Sequence, residues 1–99
     1  MYFEDVDFCQ RAKRSNLKLA CIPSSVIWHI NAGSSKSGGD LHDYFITRNR
    51  IYFASKYATP RAKFAILRES IKLLFGQSKW KKQAIIDAYR HKLNKGSWQ

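Results

Sequence analysis

Three carboxylates fall within four residues near the start of the chain: Glu4, Asp5 and Asp7. A carboxylate at a helix N-terminus is favoured in its ionised form, and an ionised carboxylate within hydrogen-bond reach of a hydroxyl is a general base. An equally available reading is that such a carboxylate only stabilises the helix end, by a fraction of a kcal/mol. Arg48 lies among apolar residues, so it needs a buried anion: Asp5, Asp7 or a ligand phosphate. Cys9, Cys21, His29 and His42 show neither C-x₂₋₄-C nor H-x₃₋₅-H spacing, which argues against zinc. The two thiols read as small core residues, and two are too few for a disulfide framework.

The elements that must position these groups follow from periodicity. Residues 3–15 predict a helix, acidic in its first turn and basic (Arg11, Lys13, Arg14) in its last. Its stripes are Glu4, Asp7, Arg11, Arg14 on one side and Asp5, Phe8, Cys9, Ala12 on the other. The second stripe is expected to face inward, carrying Asp5 with it. Asn16 suits a left-handed helix cap. Leu17–Ile22 and Val26–Ile30 predict two short strands about the Pro23-Ser24-Ser25 turn. The segment from Asn31 to Asp40, with three glycines and three serines, predicts a loop.

Everything after the loop predicts helix: residues 41–57, a second helix opened by Pro60 and closed near Gly76, and a third over 79–94. The second carries a regular apolar stripe, Phe64, Leu67, Ile71, Leu74 and Phe75. The expected fold class is thus α+β: a helix, two short strands, then three mostly amphipathic helices. Two strands alone make a poor sheet, so the front of the chain reads as the edge of a larger one.

Length and charge narrow the function. The 99 residues allow one small domain, and 44% apolar with 14% aromatic residues exclude general disorder. The acidic start does not read as a secretory signal, and no apolar run has the length of a membrane span. Residues 1–43 are charge-neutral, whereas residues 44–99 hold thirteen Lys/Arg against Glu69 and Asp87. The whole net charge of +11 therefore belongs to the second part. Lys79, Lys81 and Lys82 with Trp80 suggest contact with an anionic membrane face. Nucleic acid needs the same charge, but no reader motif is present.

Tyr2-Phe3-Glu4-Asp5-Val6-Asp7-Phe8-Cys9-Gln10-Arg11-Ala12 resembles the segment near the end of the catalytic domain of family 2 glycosyltransferases, inverting nucleotide-sugar enzymes of the GT-A fold. The pattern is closest to the rhamnosyltransferase-like enzymes of bacterial polysaccharide assembly. It continues through Leu17-Lys18-Leu19, Ile22-Pro23-Ser24, Val26-Ile27-Trp28-His29, Gly33-Ser34-Ser35 and Thr47-Arg48-Asn49-Arg50 with Tyr52-Phe53. It covers residues 1–57; residues 58–99 form a basic helical tail.

The resemblance implies that Glu4-Asp5 is the acidic pair, with Asp5 the base that deprotonates the acceptor. It implies His29 as a ligand of the divalent cation, Mn²⁺ or Mg²⁺, that holds the sugar diphosphate. Ser34 and Ser35 would lie over that diphosphate, unless their loop is an ordinary one, and Arg48 would contact a phosphate or an internal carboxylate. Asp5-Val6-Asp7 spells Asp-x-Asp, but its helical setting matches the later acidic motif. The nucleotide-binding βαβ half has no counterpart in these residues. The expectation is a C-terminal portion of a glycosyltransferase acting on a polysaccharide or lipid-linked acceptor, inactive alone, prone to self-association, and cytoplasmic at the inner face of the membrane. The rival expectation is a non-catalytic basic helical module for anionic membrane or nucleic acid.

Overall fold

A computed structural model describes residues 2–29 and 38–98. Four helices follow one another: α1 (Glu4–Arg14), α2 (Asp40–Tyr57), α3 (Pro60–Leu74) and α4 (Lys79–Tyr89). The ends obey local chemistry. Asn16 adopts φ +58° just beyond α1, as a left-handed cap requires. Pro60 forces Thr59 into extended backbone, ending α2, and the Thr59 hydroxyl then accepts the Ala62 N–H at 3.4 Å to cap α3. Ser78 caps α4 in the same manner through the Lys81 N–H.

The α+β expectation is corrected here. Among the described residues there is no strand. Leu17–Ile22 and Val26–His29 are arms without regular secondary structure either side of a turn closed by Ser25 N–H to the Ile22 carbonyl at 3.1 Å. Every residue from Ser15 to His29 is exposed. The β-prone composition is real, but a strand exists only when a neighbour accepts its backbone bonds and covers one face. These arms have neither within the described chain, so they form no ladder. A radius of gyration of 15.3 Å, against about 13 Å for a compact domain of this length, agrees.

The core lies where α2, α3 and α4 meet: Ile51, Ile85 and Ala88, with Ile66 and Leu73 packed against them. Ala84 and Ala88, one turn apart on α4, let α2 approach closely. That choice of face turns Ile86 and Tyr89 outward and brings Asp87 inward. α1 has no buried residue. It is held against the C-terminal part of α2 by polar contacts and by Phe3, which packs on Phe53 at a ring separation of 5.5 Å.

Candidate functional site

α1 is too short to persist alone in water, so its docking decides where its carboxylates sit. Asp7 supplies the clamp. One oxygen accepts from Lys56 Nζ at 3.0 Å and Tyr57 Oη at 2.8 Å, and the other from Arg11 Nε at 3.0 Å. Arg14 adds a stacked contact over the Tyr57 ring at 4.6 Å. The bonds from Tyr57 and Lys56 hold the Asp7 carboxyl below its usual range, and Asp7 in turn raises Lys56. Asp7, not Asp5, is therefore the carboxylate that faces the protein.

Asp5 is exposed, and its Oδ1 accepts the N–H of the next residue, Val6, at 2.8 Å. The inward-facing stripe of Asp5, Phe8, Cys9 and Ala12 is corrected accordingly: Phe8 is 63% exposed, and Cys9 and Ala12 are half-buried. The bonds of Asp7 to Lys56 and Tyr57 of α2 outweigh the modest apolar gain of Phe8 and turn the helix about its axis. Glu4 lines a cleft of about 240 Å³ between the start of α1 and α2, together with Asp7, Asn49, Tyr52, Phe53 and Lys56. Asp5 is not among the residues lining it.

The entry of the chain into α1 carries strain. Tyr2 and Phe3 both have positive φ, +61° and +66°, which bulky L-residues rarely adopt. Packing enforces it: Tyr2 meets the His42 ring edge-on at 5.3 Å, and its carbonyl accepts from Asn49 Nδ2 at 3.2 Å. The acidic pair thus follows a backbone held in place by α2.

Arg48 is buried, as its apolar setting predicts, but its partners correct the expectation. Its Nη1 donates to the carbonyls of Asn94 at 2.8 Å and Lys92 at 3.4 Å, and its Nε to Asn49 Oδ1 at 3.0 Å. The guanidinium also lies over the Tyr44 and Phe45 rings. Main-chain carbonyls exposed where α4 ends replace the carboxylate. Arg48 also lines the cleft beside Glu4.

Next to Arg48 is a polar cluster that periodicity did not reveal. Asp87 is fully buried. It accepts from Tyr44 Oη, from Ser97 N–H at 2.9 Å, from Ser97 Oγ at 3.0 Å and from Gln83 Nε2 at 3.1 Å. Burial pushes its carboxyl up, but these donors outweigh it and leave it below the usual range; burial and the Asp87 charge push Tyr44 up. Gly96 makes the closure possible. Its φ is +60°, and a Cβ there would stand 2.1 Å from Tyr44 Oη and 2.8 Å from Arg48 Nη1. The available signal was Asp87 itself, the sole acid after Glu69, set among the apolar residues Ile85, Ile86, Ala88 and Tyr89.

The remaining expected residues fall apart in space. His29 is exposed in the second arm, and Ser34 and Ser35 lie outside the described residues. Among the described residues no three His, Cys, Asp or Glu side chains gather as a cation site, so His29 has no companion ligands there. Trp80, expected at a membrane face, is half-buried, with ring separations of 4.5 Å to Trp98 and 6.0 Å to Tyr44. Lys81 is engaged by Asp43 at 3.2 Å, while Lys79 is exposed over the Trp80 ring and Lys82 is half-buried. No helix among the described residues is long and apolar enough to cross a membrane. Compared with family models, curated proteins and solved structures, the chain matches none.

Proposed function

We propose that this chain is the acceptor-side, C-terminal portion of an inverting glycosyltransferase resembling family 2, and that it transfers no sugar by itself. One observation carries the reading: a β-prone segment, residues 17–29, forms no helix or strand and displays Leu17, Ile22, Val26, Ile27 and Trp28 to solvent, the last 98% exposed. β-branched and aromatic residues left exposed on backbone without a ladder are what a sheet edge presents when the adjoining strands belong to another part of the molecule. The cleft between α1 and α2 supports the same reading. Glu4, Asp7, Asn49, Lys56 and Tyr52 surround it with donors and acceptors suited to a hydroxyl-rich acceptor.

In this reading the acceptor hydroxyl gives its proton to the Asp5 carboxylate while its oxygen bonds to the anomeric carbon. The nucleoside diphosphate leaves from the opposite face, so the configuration inverts. Asp5 is exposed, so its reaction partners arrive only when the adjoining half of the domain closes over the start of α1. Asp7 is a positioning residue that keeps α1 on α2, and Arg48 fixes α2 against the end of α4.

The test is sugar transfer by this chain joined to the product of the reading frame immediately upstream. Transfer from a nucleotide sugar should appear only in the joined protein, and Asp5→Asn should lower kcat by about a hundredfold or more. Turnover by the 99-residue chain alone, or a joined enzyme indifferent to Asp5→Asn, would contradict the proposal.

A further inference from the structure

We propose that the outward face of α3 is a docking surface for an anionic lipid bilayer, with the helix lying in the headgroup plane. The inference rests on exposure and charge in α3 and stands apart from the glycosyltransferase reading. Amphipathic helices ordinarily turn their apolar stripe to the core. α3 does the reverse: Ile66, Ser70 and Leu73 face α2 and α4, with Ser70 buried and its hydroxyl bonded to the Ile66 carbonyl at 2.8 Å. Phe64, Leu67, Ile71, Leu74 and Phe75 face out, with Phe64 69% and Phe75 86% exposed. They fall at i, i+3, i+7, i+10 and i+11, one continuous stripe about 16 Å long. Tyr89 of α4 borders the shallow depression beside Phe64 and Leu67 and widens the apolar surface.

Charge identifies the occupant. Arg61, Arg68 and Lys72 run along one edge of the stripe at i, i+7 and i+11, and Lys63 stands on the other; all four are exposed. The one acid of the helix, Glu69, points to α2, where Arg50 holds it at 2.6 Å. An apolar stripe edged by unopposed cations is ill suited to a protein core, which would have to bury or pair each charge. At a bilayer surface the same cations reach phosphate headgroups while phenylalanines and leucines enter the acyl boundary. On α4, Trp80 packs on Trp98 and Lys81 is paired with Asp43, so that cluster offers less of a membrane face than α3.

Sedimentation of the full chain with vesicles tests this. Vesicles of phosphatidylglycerol and phosphatidylcholine in equal parts should carry the protein down, and vesicles of phosphatidylcholine alone should carry far less. The triple variant Arg61→Gln/Arg68→Gln/Lys72→Gln should weaken binding about a hundredfold, at roughly fivefold per basic residue. Phe64→Ser/Phe75→Ser should weaken it about tenfold or more. Lys13→Gln/Lys18→Gln, a charge loss away from α3, should change it by no more than about twofold at physiological salt. These substitutions are at exposed positions, and circular dichroism should show unchanged helix content; if the phenylalanine pair unfolds, the triple variant decides alone. Absence of binding to the mixed vesicles, equal losses in the two lysine and arginine sets, or a dimer that Phe64→Ser/Phe75→Ser dissociates would overturn the proposal.

Discussion

At the scale of single residues, the site depends on which carboxylate is held and which is left in water. Asp7 is engaged by Lys56, Tyr57 and Arg11, while Asp5 meets only its neighbour's N–H among the bonds described above. Sequence spacing placed both on one helical turn but could not say which way the helix would roll. That is settled by residues some fifty positions away, at the end of α2. Arg48 was legible as buried, yet its partners were not, because main-chain carbonyls carry no signature in composition. Gly96 is the residue on which the closing of the C-terminal turn depends most. Gly96→Ala meets both a left-handed backbone penalty and a clash with the Tyr44 hydroxyl, so it should cost about 2 kcal/mol or more. Urea denaturation followed by circular dichroism measures that, and an unchanged midpoint would show that the turn over Asp87 does not help hold the helices together.

At the scale of elements, the helices were the legible part. Capping at Thr59 and Ser78, Pro60 at the first turn and the left-handed Asn16 all act within a few residues, and α1, α2 and α3 fall within two residues of their expected limits. α4 stops at Tyr89, short of 94, because the chain turns there to cover Asp87. The strands were not legible, since strand formation depends on partners that local sequence does not contain. The faces of α3 and α4 were misleading for the same reason: the tightest packing with α2 uses Ala84 and Ala88, not the largest apolar side chains. α1 is the element whose docking is most easily undone. The Asp7 carboxyl is held below its unfolded value, so its contribution is complete above the ordinary carboxylate pKa and is lost as pH falls through the lowered one. The protection of the α1 amides, relative to the intrinsic exchange rate at each pH, should accordingly fall below about pH 4, and Asp7→Asn should show low protection already at neutral pH. Equal protection in Asp7→Asn and the parent chain would mean that Phe3 and Arg14 alone dock the helix.

At the scale of the whole molecule, two parts differ in how complete they are. α2, α3, α4 and the closing turn share a core, and the buried Asp87 and Arg48 side chains are each held by several hydrogen bonds. The arm of residues 17–29 carries exposed apolar side chains and, among the described residues, no layer covers it. The resemblance to glycosyltransferases and the exposed arm lead to one physical expectation: another part of the protein supplies the sheet. Amide hydrogen exchange of residues 17–22 and 26–29 tests it most directly, measured in the chain alone and after joining to the product of the upstream reading frame. The account predicts near-complete exchange in the chain alone and strong, alternating protection in the joined protein, as a strand bonded along one edge would show. Exchange that stays fast in the joined protein, or protection already present in the isolated monomer, would contradict it.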